Sequence, residues 1–233
     1  MVEILNTDYS NLVNVLGTAH FTRRSLVEAI ESVRETKPTD LAVELDLRRF
    51  TFLDFRCSSC VNRLACSRRC EFIGASDAVG NLDVNIWLID MSENEISERI
   101  GRQLPYIRFP LFSHLDPFHP PRFFNEEKLW EEGRKREVMN RHKERLQMLR
   151  ARAPHVWRVL IDERNALMAS RLAWIASRKI AENKDVRILA LTGAAHVEGI
   201  TALLKEPWQI GDEMKRLNLK FTPPRLIRRV GVN

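Results

Sequence analysis

Short apolar runs alternate with longer amphipathic or charged segments along the chain. Four of these runs are rich in Val, Ile and Leu, and they are "NLVNVLG" (11–17), "LAVELD" (41–46), "LDVNIWLID" (82–90) and "VRILALTG" (186–193). Runs of this length and composition predict buried β-strands. The sequence therefore predicts a sheet built from these four strands.

The segment between the first two strands has the periodicity of a helix. Apolar residues recur there at helical spacing, namely Leu26, Val27, Ile30 and Val33. Pro38 follows shortly after the pattern stops. Strand, helix and strand in this order are typical of a parallel crossover unit. We therefore expect an α/β fold with a mainly parallel central sheet flanked by helices, formed as one domain over residues 1–233.

A charged segment over residues 125–152 predicts a long exposed helix that Gly133 interrupts. The stretch before it, "LPYIRFPLFSHLDPFHPPRFF", predicts an extended lid packed by its own aromatic side chains, so that residues 105–152 form a lid and a charged helical segment. Glu and Arg alternate through the helix and no RNA-binding motif accompanies it, which favours a solvated face over a nucleic-acid contact. Its thin apolar line leaves room for a partner helix, and a homodimer is one expectation.

The composition is that of a folded chain with a core of ordinary size, since 44% of the 233 residues are hydrophobic and 29% are charged. The net charge of +6 comes from interspersed charges of both signs and demands neither nucleic acid nor an anionic membrane as a partner. The N-terminal stretch "MVEILNTDYSNLVNVLG" lacks the basic and apolar regions of a signal peptide. No apolar run reaches the roughly twenty residues of a membrane helix. The expectation is a cytoplasmic protein without a membrane span.

Two of the predicted strands end in the same short motif. "GTAH" closes the first strand with His20, and "GAAH" closes the fourth with His196. In an open parallel sheet, reactive groups collect where strands turn into helices, because those loops converge on one crevice. A single histidine in such a place is usually structural, but the repetition predicts that both imidazoles meet at one metal-dependent site.

A carboxylate ends the second predicted strand. Strand alternation would put Glu44 on one face together with Asp46. A buried carboxylate is costly unless a cation or hydrogen-bond donors satisfy it, so Glu44 is a candidate metal ligand or general base. Pairing of Glu44 with Arg48 or Arg49 is the alternative.

Two arginines fall in the middle of the apolar stripe of a helix predicted over 160–180. Arg164 and Arg171 must reach either the edge of that stripe or a buried anion. A guanidinium that points into an acidic crevice is suited to hold a carboxylate or a developing oxyanion. The alternative is an arginine locked to a structural glutamate.

All four cysteines lie in an insert over residues 55–72, at Cys57, Cys60, Cys66 and Cys70. Thiolates clustered this closely form a zinc site, an iron–sulfur site or two short disulfides, and the C-x2-C-x5-C-x3-C spacing does not decide among them. In an intracellular chain a metal is favoured over disulfides, with structural zinc ahead of an iron–sulfur cluster.

Five blocks of the sequence together resemble the TraB family. In chain order they are "GTAHFTRRSLVEAI", "VELDLRR", "LIDMSENEISER", "ERNALMASRL" and "GAAHVEGI". That family includes bacterial pheromone-shutdown proteins and archaeal members, and it is similar to the Tiki metalloproteases and more distantly to the ChaN and erythromycin-esterase group. The resemblance covers residues 11–50, 82–99 and 156–203, and it implies an α/β fold with a metal-dependent hydrolase site.

The resemblance also implies roles for single residues. The metal-binding histidines, the strand-end glutamate, the arginine after it and the Glu-Arg pair of the late helix fall on His20, His196, Glu44, Arg49, Glu163 and Arg164. The chain departs from the family at two positions. Met91 stands where many members have arginine, and Asn165 stands where many have aspartate, which indicates that one charge pair of the family is missing here.

We therefore expect a metal-dependent, peptidase-like hydrolase that acts on a peptide or small molecule. His20 and His196 would bind a divalent ion such as manganese, cobalt or zinc. Glu44 would ligate the ion or take a proton from the attacking water, and Arg164 would steady the anionic intermediate. Two alternatives stay open, namely a non-catalytic module that binds a peptide or signalling molecule, and a redox or iron–sulfur protein that uses the four-cysteine loop.

Overall fold

The computed structural model of the protein describes residues 7–20, 22–58, 70–80, 83–103 and 124–230. Its strands are β1 (Val13–Thr18), β2 (Asp40–Val43), β3 (Val84–Leu88), β4 (Ile188–Gly193) and β5 (Arg225–Val230). The helices up to residue 131 are α1 (Arg23–Thr36), α2 (Leu47–Ser58), α3 (Glu71–Ala78), α4 (Glu93–Gln103) and α5 (Phe124–Glu131). Those that follow are α6 (Lys135–Arg152), α7 (Pro154–Trp157), α8 (Arg164–Ala181), α9 (Val197–Lys205) and α10 (Trp208–Arg216).

The strands form one mixed sheet in the order β1-β4-β2-β3-β5. The first four strands are parallel to one another, and β5 runs antiparallel at the edge beside β3. The predicted α/β class with a mainly parallel sheet is therefore confirmed. The sequence pattern did not predict β5, because arginines interrupt its short run "RLIRRV".

Both faces of the sheet are covered by helices. Along β2, Leu41 and Val43 pack with α1 and α3 in one core cluster, whereas Ala42 packs with α8 and α9 in the other. This alternation explains why the strand is apolar throughout. Of the four apolar residues at helical spacing in α1, Leu26, Ile30 and Val33 are buried, whereas Val27 is 42% exposed.

The charged segment after residue 123 forms a helical hairpin, α5 followed by α6. Gly133 breaks it with a backbone φ of +83°, a conformation that an L side chain rarely adopts. Val138 is the buried residue of α6, whose other described side chains are exposed or half-buried. Residues 105–123 of the predicted lid lie outside the described residues. None of the helices described for this chain is both long and apolar enough to cross a membrane.

A buried carboxylate lies at the amino-terminal edge of the sheet, away from the strand ends that carry the histidines. Asp40 at the start of β2 pairs with Lys179 at 2.5 Å and accepts a hydrogen bond from the indole of Trp87 at 2.8 Å. Asp40 is fully buried, so these donors offset the cost of removing its charge from water. This edge of the sheet is a structural network that joins β2, β3 and α8.

Candidate active site

The sheet order brings the two histidine motifs side by side. β1 and β4 are neighbours in parallel register, with Thr18 opposite Gly193, so both motifs leave the sheet at the same level. β2 lies on the other side of β4 and ends at Val43, which puts Glu44 directly beyond the same edge. The carboxyl ends of these three strands therefore form one crevice.

The glycine of each motif makes room for the other motif. A Cβ atom on Gly17 would lie 2.7 Å from Val197 Cγ2 and 3.1 Å from the Cα atom of Ala194. A Cβ atom on Gly193 would lie 3.1 Å from His20 Nε2. Because these distances are shorter than ordinary contacts, a side chain at either glycine would press against the neighbouring turn. The shared motif is thus a packing requirement as well as a chemical one.

A buried glutamate orients His20. The Nδ1 atom of His20 donates to Glu71 Oε1 at 2.7 Å, and the hydroxyl of Thr18 donates to the same oxygen at 3.0 Å. Glu71 is fully buried at the start of α3, whereas the side chain of His20 is 23% exposed. Burial lowers the pKa of His20, but the hydrogen bond and charge of Glu71 outweigh it, so the pKa lies above its usual value.

An amide orients His196. Its Nδ1 atom donates to the Asn165 side-chain oxygen at 2.7 Å, which leaves Nε2 facing Glu44 Oε1 at 3.5 Å. A Cβ atom on Gly199 would lie 2.3 Å from the Asn165 amide nitrogen, so the glycine creates the space for this contact. Burial lowers the pKa of His196 to about 4 despite the nearby charge of Glu44. His196 is therefore neutral near pH 7.

Glu44 is the anionic centre of the crevice. Its Oε2 atom accepts the Gly193 backbone N–H at 2.5 Å, and its Oε1 atom accepts a hydrogen bond from Arg164. Burial disfavours the charged form of Glu44, but the positive charges of His196, when protonated, and of Arg164 keep its pKa below the usual value. Glu44 lies just past the end of β2, so its orientation is not set by the alternation of side chains along the strand. Its contacts with Gly193 and Arg164 set that orientation instead.

Asp90, just beyond the end of β3, anchors both arginines next to Glu44. Arg164 donates to its two oxygens at 2.9 and 2.8 Å, and Arg49 donates to one of them at 2.7 Å. Burial raises the pKa of Asp90, but the two arginines outweigh this effect and hold the pKa far below the usual range. A third Arg164 nitrogen donates to the Leu160 carbonyl at 3.3 Å. The arginine is thus engaged on all of its nitrogens and holds two carboxylates.

Glu163, just before α8, and Arg171, within α8, contact residues other than Glu44 and the two histidines. Glu163, which the family resemblance placed at the site, is buried and pairs with Arg99 at 3.2 Å and Arg158 at 2.9 Å. Arg171 donates to the backbone carbonyls of Ile89 and Asp90 and to Thr222 rather than to a carboxylate. These contacts support the backbone behind the crevice.

Asp46 serves the helices beside the site instead of the site itself. It accepts the backbone N–H of Arg49 at 2.8 Å and that of Glu93 at 2.6 Å. One carboxylate therefore caps the first turns of both α2 and α4. Strand alternation paired Asp46 with Glu44 on one face, but β2 ends before either residue, and the two carboxylates have different partners.

The four-cysteine insert falls mostly outside the described residues. Cys60 and Cys66 belong to the part that is not described, and Cys57 lies in the last turn of α2, where side chains are not described. Cys70 is buried at the amino end of α3, immediately before Glu71. The zinc or iron–sulfur site over these cysteines stays a prediction.

Two atoms of the crevice fit a divalent ion by their chemistry. Since His196 carries its proton on Nδ1, its Nε2 atom presents a lone pair to the ionised Glu44 oxygen 3.5 Å away. Arg164 already donates to this Glu44 oxygen, and the 3.5 Å separation also suits two atoms that each bind one ion at about 2.1 Å. Imidazoles held through Nδ1 by a carboxylate or amide are typical of metal ligands. Within the described residues no three His, Cys, Asp or Glu side chains lie in an arrangement that could hold a metal ion, so an ion shared by His20, His196 and Glu44 would require these side chains to move.

Sequence reasoning missed Glu71, Asp90 and the contact between Asn165 and His196. Asp90 ends an apolar strand as Glu44 does, and that signal was present in the sequence. Glu71 gave no comparable signal, because it follows the last cysteine at the start of a short helix.

Comparison with known proteins identifies one distant relative. The chain is 25% identical to an uncharacterized protein of Methanocaldococcus jannaschii over 223 aligned residues, which cover 83% of this chain and 53% of the relative. The chain therefore spans about half the length of that protein. No protein-family model matches the chain, and no solved structure matches it significantly.

Proposed function

We propose that this protein is a metal-dependent hydrolase whose site is formed by the two histidine turns and Glu44. The observation that carries the proposal is the contact between His196 Nε2 and Glu44 Oε1, two acceptor atoms that face each other at 3.5 Å beside His20. A divalent ion would give the His196 lone pair a partner and would share Glu44 Oε1 with Arg164. The preferred substrate class is a peptide or a related amide, as the resemblance to the TraB family implies.

The contacts of each residue suggest its role in the proposed reaction. His20, His196 and Glu44 would hold a divalent ion such as manganese, cobalt or zinc, which would polarise a carbonyl and lower the pKa of a water molecule. Glu71 holds Nδ1 of His20, and Asn165 holds Nδ1 of His196. The Nε2 atom of each ring therefore points away from the residue that holds the ring. Arg164 keeps Glu44 ionised and oriented.

Glu44 is the proton carrier of the proposed reaction. Its Oε2 atom, which accepts one hydrogen bond from the Gly193 N–H and keeps a second lone pair, would take a proton from the attacking water as the water oxygen bonds to the carbonyl carbon. The proton then passes to the leaving nitrogen as the carbon–nitrogen bond breaks, which yields a carboxylic acid and an amine. The pKa of Glu44 lies below its usual value, so the carboxylate is ionised at neutral pH and holds the proton only until it passes to the leaving nitrogen.

A non-catalytic binding module is the second candidate. The nitrogens of Arg164 are taken up by Glu44, Asp90 and the Leu160 carbonyl. This arginine, which the sequence analysis placed as the holder of an anionic intermediate, is thus already engaged in the part of the chain that the structure describes. A crevice of this kind suits binding of a peptide without cleavage. The redox alternative depends on the four-cysteine insert and stays a separate prediction.

The test is cleavage of a mixed peptide library, read by mass spectrometry, with manganese, cobalt or zinc added to chelator-treated protein. We expect cleavage by the wild type, loss of it in His20→Ala, His196→Ala and Glu44→Gln, and wild-type cleavage in His155→Ala, an exposed histidine outside the crevice. Cleavage that survives the two crevice histidine variants would refute the proposed site. Metal binding with no cleavage of any peptide would favour the binding module.

A further inference from the structure

The helical hairpin α5–α6 packs on both histidine turns. Leu129, Trp130 and Val138 form a small apolar cluster with Ala19 of the first motif and Ala194 of the second. The small residues between glycine and histidine therefore leave space for the hairpin. The hairpin touches the residue before His20 and the second residue of the other motif, which places it against both halves of the proposed site.

A chain of hydrogen bonds runs from the hairpin to the backbone next to His20. The indole N–H of Trp130 donates to Ser25 Oγ at 3.0 Å. Ser25 Oγ in turn donates to the carbonyl of Ala19 and accepts its N–H, each at 3.0 Å. The hydroxyl of Thr22 also lies 2.7 Å from Ser25 Oγ and 2.9 Å from the Ala19 carbonyl oxygen, so Trp130 and Thr22 both support this turn. Trp130 and Ser25 are both buried, which keeps water from replacing the bonds.

A second set of contacts fixes the hairpin to the start of α1. The carboxylate of Glu131 accepts the backbone N–H groups of Arg23 at 2.5 Å and Arg24 at 2.9 Å. These are the first two residues of α1, where backbone N–H groups have no partner within the helix. Lys135 pairs with Glu28 one turn further along α1 and lies 5.1 Å from the Trp130 ring. The position of Trp130 is thus set by charge, capping and packing together.

We infer that Trp130 is a positioning residue for His20, acting through Ser25 and Ala19. The indole N–H holds the turn that carries His20, and the ring covers the small residues of both motifs. The inference rests on the proposed function only in taking His20 as a site residue, because the contacts themselves are independent of any ion or substrate.

The first experiment measures His20 directly in metal-free protein. Trp130→Phe keeps an aromatic ring and removes the N–H, and Trp208→Phe changes an exposed tryptophan as the matched control. We expect the imidazole carbon-bound proton signals of His20 to shift or broaden in Trp130→Phe, with the exposed His155 unaffected and Trp208→Phe like the wild type. Unchanged His20 signals in a folded Trp130→Phe protein would overturn the inference.

A double-variant cycle separates positioning from general loss of packing. If Trp130 acts through the serine hydroxyl, Trp130→Phe will shift the His20 proton signals more in the wild-type background than in a Ser25→Ala background. Equal changes in both backgrounds would mean that the hydroxyl does not carry the effect, and the inference would fail.

Cobalt affinity gives the second readout. Removing a bond that orients a ligand typically weakens metal binding by about tenfold or more, and we expect about tenfold for Trp130→Phe. If the wild type binds no ion at the histidines, the proposed function fails while the spectroscopic test of Trp130 still stands. If the wild type binds cobalt and Trp130→Phe binds it equally well, the positioning role is refuted and the proposed function is untouched.

Discussion

The Nε2 atom of His20 lies 3.1 Å from the point that a Cβ atom on Gly193 would occupy. Glu44 Oε2 lies 3.5 Å from the same point and accepts the Gly193 backbone N–H. The histidine of one motif and the central carboxylate thus both lie beside the glycine of the other motif. The repeated sequence motif is explained by this mutual fit of two turns on neighbouring parallel strands.

Replacing this glycine should displace His20. In Gly193→Ala the new methyl group meets the imidazole at a distance that few Cβ contacts show, so the ring has to move. We expect metal affinity at the histidines to fall by about tenfold or more, as it does when ligand orientation is disturbed. Gly101→Ala is the control, because a Cβ atom there meets nothing within 4 Å and alanine favours a helix. Cobalt titration of the two variants measures this loss, and equal affinities would contradict a displacement of His20.

The pKa of His196 predicts a loss of stability in acid. Its folded-state pKa of about 4 lies below the ordinary value of 6.5, so the unfolded chain binds more protons between these values. The free energy of unfolding should therefore fall as the pH drops from 6.5 to 4, with His196 contributing about 3 kcal/mol. Urea denaturation across this range measures the slope, which should flatten in His196→Gln. An equal slope in that variant would exclude His196 as its source.

The amide of Asn165 should help to keep His196 neutral. In Asn165→Asp a carboxylate replaces the oxygen that now accepts from His196 Nδ1, and a nearby negative charge favours the protonated ring. The pKa of His196 should rise above its value of about 4, which an NMR titration of the ring protons reports. An unchanged titration curve would mean that burial alone sets this pKa.

Glu71 should have the opposite effect on His20. The pKa of His20 is raised in the folded protein, so its stabilising contribution is present below the ordinary value of 6.5 and is lost as the pH rises through the folded pKa. Glu71→Gln removes the charge while keeping the shape of the side chain. We expect a lower His20 pKa and a destabilisation that is larger at pH 6 than at pH 8. The exposed Glu198→Gln is the control, and a cost independent of pH in Glu71→Gln would argue against this pairing.

Arg164 should be the most sensitive charged residue of the crevice. Arg164→Met leaves Glu44 and Asp90 buried without their shared cation, and loss of one partner of a buried ion pair costs about 3–5 kcal/mol. Because the two carboxylates then favour protonation, the cost should shrink as the pH is lowered. Chemical denaturation at neutral and acidic pH measures this, with the exposed Arg216→Met as control. A cost below about 1 kcal/mol at neutral pH would contradict the pairing.

The sequence was informative where chemistry and strand ends coincide. The four parallel strands and the α/β class followed from short apolar runs, and so did the placement of His20, His196 and Glu44 at one edge of the sheet. A metal ion shared by these residues stays a prediction. The partners that tune these groups did not follow. Glu71 is 51 residues from His20, and Asp90 is 74 residues from Arg164, so both contacts depend on sheet order and helix placement that no local pattern specifies.

The packing of the α5–α6 hairpin is another feature that the sequence pattern does not predict. Residues 125–152 are mostly charged, and their pattern indicates a solvated helix. Its thin apolar line predicts room for a partner helix, whereas Leu129, Trp130 and Val138 pack against the histidine turns of the same chain. A small contact can therefore decide where a charged element lies, because a single buried indole contributes a large apolar surface.

The most direct test of the central claim is the number of divalent ions bound by the chain. Anaerobically purified wild type, the His20→Ala, His196→Ala double variant and His155→Ala would be saturated with cobalt or manganese and analysed for bound metal, all with their cysteines intact. Wild type and His155→Ala should each bind one more ion per chain than the double variant. Equal metal content in all three proteins after saturation would contradict a metal site at the two histidines.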